Sequence, residues 1–169
     1  SIYTFSQDSG INDTLSALDT LSGNQKWSYQ FEGFTPYAPL VSNGFIYVVS
    51  EDTAARTGTV SALDAASGQE KWSYQAASTI PFPPTVANGL IYLVSGNTLD
   101  VLDARSGHTL WAEQHDYASW SPVVENGLVY VVAGNQTQNT SILYALDATS
   151  GQEKWSHQEA TVTHQPAVA

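Results

Sequence analysis

The chain is 169 residues long, 42% hydrophobic and 11% aromatic, a make-up that allows one domain with a packed core and argues against disorder. Five basic against sixteen acidic side chains leave a net charge of −11, which repels phosphate backbones and anionic lipid and so argues against nucleic acid as a partner. The absence of Cys removes disulfides, thiolate metal sites and a Cys nucleophile, and no run approaches the roughly 18 apolar residues of a membrane span. The chain contains no Met and does not open on a basic stretch followed by an apolar one. It is therefore expected to be a processed product or a piece of something longer, without a retained signal peptide.

One phrase returns along the chain. It reads SALDTLSGNQKW at 16–27, SALDAASGQEKW at 61–72, DVLDARSGHTLW at 100–111 and YALDATSGQEKW at 144–155. Its landmarks are Asp19, Gly23 and Trp27, then Asp64, Gly68 and Trp72, then Asp103, Gly107 and Trp111, then Asp147, Gly151 and Trp155, in steps of 45, 39 and 44 residues. A period of this length marks a repeat architecture, in which a recurring residue does a recurring structural job.

A second landmark runs in phase: PLVSNGFIYVVS from Pro39, PTVANGLIYLVS from Pro84 and PVVENGLVYVVA from Pro122. Asn43-Gly44, Asn88-Gly89 and Asn126-Gly127 supply the positive φ angles of a two-residue primed turn, so each run predicts a β-hairpin. The strand after each turn is apolar on both faces and is expected to be covered from both sides. The phrase ending in Trp predicts a second hairpin, whose turn Asp accepts backbone amides while Gly takes the left-handed position. Beyond it, Trp72 and Tyr74 alternate with Lys71 and Ser73, the pattern of an outer strand with one wet side. Variable loops are expected at 50–59, 95–98 and 133–141.

Four antiparallel strands in units of about 40 to 45 residues predict blades of a β-propeller, an all-β fold. The repeats run over about 1–35 plus 165–169, 36–80, 81–119 and 120–164. The end QPAVA joined to the start SIYTFS matches PTVANGLIYLVS apart from the missing Asn-Gly, so one blade is expected to be split between the termini, its innermost strand coming from the C-terminus.

The Ala, Asp, Ser-Gly and Trp of the phrase, at fixed offsets in all four repeats, resemble the tryptophan-docking motif of the pyrroloquinoline quinone type β-propellers. Two departures are visible: Ser22, Ser67, Ser106 and Ser150 stand where Thr is usual, and Val101 where Ala is usual. The resemblance implies that each Trp packs between adjacent blades, and that an eight-bladed ring is the natural size. Two copies of this chain are therefore expected to pair as a homodimer, as an alternative to a four-bladed monomer. The family includes quinone-dependent alcohol and sugar dehydrogenases and the lipoprotein that assists outer-membrane barrel assembly, which implies an extracytoplasmic location, periplasmic or at the cell surface.

Tyr37, Phe82, Trp120 and His164 each stand two residues before the Pro that opens an innermost strand. One large ring per blade there would encircle the mouth of a central channel, and this is the expected ligand-binding or partner-binding site. His108, His115, His157 and His164 lack the paired spacing with carboxylates of a zinc or iron site, and Glu51 with Asp52 reads as a solvated loop before it reads as a calcium site. No metal or cofactor is therefore expected. The resemblance implies that a quinone dehydrogenase would need cofactor-binding residues, a calcium site and a catalytic Asp from loops on a much longer chain. No enzyme is expected; the chain reads as a scaffold for an unidentified protein or glycan partner. The alternatives are a fragment of a dehydrogenase propeller, binding pyrroloquinoline quinone and calcium, and a repeat array with no role beyond assembly.

Overall fold

The computed structural model describes residues 1–7, 12–114, 120–135, 140–160 and 165–168, and all regular structure among them is β-strand. The chain divides into two compact units, Ser1–Thr79 and Ile80–Ala169.

In the first unit, β1 (Ile2–Gln7), β2 (Asp13–Leu18) and β3 (Gln25–Gln30) form one sheet, and β4 (Leu40–Ser42), β5 (Phe45–Asp52), β6 (Thr57–Asp64) and β7 (Glu70–Gln75) form another. In the second unit, one sheet contains β8 (Thr85–Ala87), β9 (Leu90–Ser95), β10 (Thr98–Asp103) and β11 (Thr109–Gln114). The other contains β12 (Val123–Glu125), β13 (Leu128–Asn135), β14 (Thr140–Asp147) and β15 (Glu153–Ala160). Within each sheet every strand pairs antiparallel with its neighbour in sequence, the arrangement of a propeller blade.

The turn chemistry explains the hairpins. Asn43, Asn88 and Asn126 have φ of 49°, 52° and 50°, and the glycines that follow have 79°, 78° and 76°, two consecutive positive angles as a type I′ turn requires. The strands after these turns are the apolar ones, and Ile91, Tyr92, Leu93 and Val94 are all buried. At the second hairpin the register shifts between Ala17 and Leu18, and again at Ala62/Leu63, Val101/Leu102 and Ala145/Leu146. Such a bulge adds local twist where the chain turns out to the last strand.

Each unit has its own core between its two sheets. Leu15 and Phe31 of the first unit meet Ile46, Val48 and Leu63, flanked by Tyr3, Phe5 and Trp27. In the second, Tyr92, Val94, Leu99 and Val101 meet Val129, Val131, Leu146 and Ala148, flanked by Trp111 and Tyr144.

Among the described residues the first sheet has three strands and residues 165–168 carry no strand, so the expected blade split between the termini and the closed ring are not shown. The turns expected at 50–59 and 95–98 are shorter, 53–56 and 96–97, because β5 and β6 pair as far as Asp52↔Thr57 and β9 and β10 as far as Ser95↔Thr98; in 133–141 the described residues belong to β13 and β14, which pair as far as Asn135↔Thr140. Ladder hydrogen bonds hold these polar residues extended although no apolar pattern marks them.

Behind the first sheet, the chain leaving β3 is tied down by a carboxylate. Asp13, 6% exposed, accepts hydrogen bonds from the Thr35 N–H at 2.7 Å and the Thr35 hydroxyl at 2.5 Å, and its carbonyl accepts from the Phe31 N–H at 2.9 Å. Asp13→Ala should strip two buried donors of their acceptor and lower stability by roughly 1–3 kcal/mol. A urea midpoint that does not move would show that the clamp contributes nothing.

Candidate functional site

The repeated turns are built alike. Asp19 Oδ1 accepts from Leu21 N and Ser22 N, both at 3.0 Å, and from Ser22 Oγ at 3.1 Å. The same set recurs at Asp64 with Ala66 and Ser67, at Asp103 with Arg105 and Ser106, and at Asp147 with Thr149 and Ser150. The other carboxylate oxygen meets Lys26 at 3.2 Å, Lys71 at 3.7 Å or Lys154 at 3.4 Å, while Leu110 occupies the lysine's place in the third repeat. Amide donation from Ser150 holds Asp147 at a pKa of about 2. The amides of Ser22 and Ser67 lower Asp19 and Asp64, and the Ser106 hydroxyl lowers Asp103.

Gly23, Gly68, Gly107 and Gly151 close these turns at φ of 71°, 72°, 72° and 75°. Within the first unit the Trp27 ring lies directly on Gly68, where an added Cβ would fall 2.5 Å from Trp27 Cδ2. Its Nε1 donates to the Ala65 carbonyl at 3.4 Å, and the Tyr3 hydroxyl donates to the same oxygen at 3.3 Å. Within the second unit Trp111 lies on Gly151, where a Cβ would fall 2.7 Å from Cε3. There the Tyr92 hydroxyl takes the Ala148 carbonyl at 3.3 Å, and Trp111 Nε1 is buried without a partner. Trp72 is half-buried with its ring 6.0 Å from Tyr47. Trp155 is 43% exposed.

Of the four rings expected at a channel mouth, Phe82 and Trp120 are brought together in the second unit, centroids 6.1 Å apart and planes at 36°. Trp120 Nε1 is buried with no partner. Tyr37 belongs to the first unit, half-buried, its phenol pKa raised by burial and then by the Glu51 carboxylate. His164, like His115, lies outside the described residues. His108 and His157 are on exposed positions, His157 3.1 Å from Glu159.

A cleft of about 720 Å³ opens in the first unit, and sequence reasoning missed it. Its rim carries Gln7, Asn12, Glu32, Phe34, Asp52 and Gln75. One wall is the segment after β3, where Phe34 and Glu51 exchange backbone hydrogen bonds at 3.2 and 2.7 Å. Gly33 makes this approach possible: its φ is 89°, and a Cβ there would collide with the Glu51 carbonyl oxygen. Asn12 Oδ1 accepts from Gly33 N at 3.2 Å. The signal was Gly33, a glycine with no counterpart in the other repeats.

Antiparallel sheets strung in sequence, each ending in an Asp–Gly turn and an outer-strand Trp, define a protein of propeller-blade repeats. The model of the family described as outer membrane protein assembly factor BamB matches residues 3–78, 53–120 and 115–169, and the chain belongs to that family. No curated protein sequence matches it. Among solved structures it is similar to a europium-containing methanol dehydrogenase, at 22% identity and a TM-score of 0.60 over 71% of this chain and 24% of that one. BamB from Moraxella catarrhalis aligns at 15% identity and 0.58, over 89% of this chain and 59% of that one. The computationally designed Ika4 protein aligns at 17% identity and 0.60, over 82% and 87%. The chain thus spans about a quarter of the dehydrogenase and 59% of that BamB, and these likenesses establish the fold.

A quinone with its metal is what the resemblance implies for a dehydrogenase. The turn carboxylates are committed to their own amides, Asp52 accepts from Ala54 N and Ala55 N, and among the described residues no three His, Asp or Glu side chains gather as a metal site. Phe82 and Trp120 are tilted and 6.1 Å apart, closer than the roughly 7 Å that a planar ring needs between two faces.

Two outcomes test the turns. Gly44 has nothing within 4 Å of its Cβ position, so Gly44→Ala should cost only the left-handed strain of roughly 1–2 kcal/mol. Gly68→Ala bears the same strain and also displaces the Trp27 ring, and should cost at least ~1 kcal/mol more; equal urea midpoints would refute the contact. Because all four turn carboxylates have lowered pKa values, their stabilisation is complete above the unfolded Asp value of about 3.9 and is lost as pH falls towards about 2. The melting temperature should fall over that window, less steeply in Asp147→Asn.

Proposed function

We propose that the chain is a non-catalytic scaffold of propeller blades, working outside the cytoplasm, whose blades close into a ring and whose first-unit cleft receives an extended cationic segment of a partner protein. The cleft carries the reading. It is open, and its rim combines amide side chains with the exposed carboxylates of Glu32 and Asp52. Phe34, 48% exposed at the rim, offers an apolar contact beside them. A chain of net charge −11 draws such a partner over distances set by the Debye length. The family description, an outer membrane protein assembly factor, supports both an interaction role and an extracytoplasmic place.

The proposal is tested by titrating a short lysine-rich peptide into the chain in a calorimeter. Binding should weaken at least tenfold between low and high salt, as screened charge pairs do, and Glu32→Lys should weaken it at least threefold at low salt. An unchanged affinity in Glu32→Lys would remove the cleft from the interaction. Stoichiometric stabilisation by pyrroloquinoline quinone with calcium, seen as a raised melting temperature, would replace the scaffold reading with that of a dehydrogenase fragment.

A further inference from the structure

Beside the cleft of the first unit lies a smaller pocket of about 300 Å³, and Glu32, Ser50 and Thr59 line both. One wall is built by Tyr29 and Phe31, whose ring centroids are 4.8 Å apart. The other is a face of the β5–β6–β7 sheet. There the register Ser50↔Thr59 and Ser61↔Ser73, two residues apart on β6, sets four hydroxyl side chains on one side. Glu32 and Glu70 are the exposed carboxylates of the pocket. The Tyr29 hydroxyl donates to Glu70 at 2.5 Å, and burial followed by the Glu70 and Glu32 carboxylates pushes the phenol up to about 12. Both carboxylates therefore lie about the same phenol. Lys26 and Lys71 are paired with Asp19 and Asp64, and among the described residues no ion pair reaches Glu32 or Glu70.

Two carboxylates alone would be a solvated edge, but the floor of the pocket is buried and polar. Ser50 and Ser61 are 7% and 4% exposed, and among the described residues neither hydroxyl has a hydrogen-bond partner. A buried hydroxyl left unmet is costly, so a group that enters and satisfies it gains more than it would at the surface. The second unit shows the same place without the hydroxyls. Ala133 and Ile142 pair where Ser50 and Thr59 do, and Tyr144 pairs with Ser156 where Ser61 pairs with Ser73. Tyr144 packs on the core there; small hydroxyls in place of that ring leave the space in the first unit.

The pocket accepts hydrogen bonds, and the phenol that could donate is taken by Glu70. A guanidinium is the complement of such a lining: planar, always charged, with five N–H donors and no acceptor, and able to lie on an aromatic ring. An ammonium is a compact point with three donors and does not span edge and floor in this way. We infer that this pocket is the arginine subsite of the cleft, in which a guanidinium from the partner segment is held between the Glu32 and Glu70 carboxylates, against the Tyr29 ring, with its inner N–H groups on the Ser50 and Ser61 hydroxyls. The inference rests on the reading of the cleft as a site for a cationic segment. It adds a residue preference that charge does not give, since lysine and arginine carry the same charge.

Calorimetry with two peptides of equal length and charge, one lysine-rich and the other with every lysine replaced by arginine, reads that preference directly. The arginine peptide should bind the wild-type chain about tenfold more tightly, because a guanidinium–carboxylate pair makes two charge-assisted bonds where an ammonium makes a point contact. Glu70→Gln removes one carboxylate from an exposed position, and Ser61→Tyr fills the pocket with the side chain that the fourth repeat carries there. In each variant the two affinities should come within about threefold of one another, with unchanged far-ultraviolet circular dichroism. Equal affinities in the wild type, or a preference that survives in either variant, overturn the inference. The two readings fail differently: if neither peptide binds, the cleft and its subsite fall together, whereas if both bind alike the cleft stands and the arginine subsite is lost.

Discussion

An indole ring lying on the bare backbone of a left-handed glycine is the contact on which the rest of the structure depends. Any side chain at Gly68 or Gly151 would occupy the space of the Trp27 or Trp111 ring. The turn must therefore hold its glycine still, and the Asp does so by gathering two amides and a serine hydroxyl on one oxygen. The bulge one residue before the turn, as at Ala62/Leu63, then directs the chain into the outer strand that carries the next Trp. Turn, bulge and ring form one unit, which is why they recur together in sequence.

What recurs locally was legible, and what depends on distant pairing was not. Asn-Gly dipeptides, the apolar runs after them and the Asp–Gly turns each fix a conformation within a few residues, and all appear where the sequence places them. The segment 50–59 looked like a loop because its polar residues carry no period, yet the β5–β6 ladder runs through it as far as Asp52↔Thr57. For the first sheet, with three strands among the described residues, QPAVA resembles an innermost strand in composition, but composition alone does not provide pairing. The cleft was hidden because it rests on Phe34 reaching Glu51 across the unit, and only Gly33 hinted at so close an approach.

Repeats that agree in their turns direct attention to where they disagree. The first repeat departs through Gly33 and the Asp13 clamp on Thr35, and those departures shape the cleft. The third replaces lysine with Leu110, half of it exposed, and so leaves Asp103 to Ser106 and Arg105 for its stabilisation. The fourth replaces tyrosine with His157 at the outer strand. Differences of this kind, more than the shared frame, set what each surface can bind, since function sits in sites carried by a fold.

The fourth repeat's departure bears on how an outer strand is held to its neighbour. Within the first unit the Trp27 contact is reinforced one turn further along, where the Tyr29 hydroxyl donates to Glu70 at 2.5 Å; burial and that carboxylate push the phenol up to about 12. That bond ties β3 of one sheet to β7 of the next, and a charge-assisted bond is stronger than a neutral one. In the fourth repeat His157 takes the tyrosine's place and turns its ring nitrogen to Glu159 of its own strand. One substitution at the outer strand therefore redirects a polar contact from the neighbouring sheet to the strand itself, while the Asp–Gly turn and its bulge stay as they are.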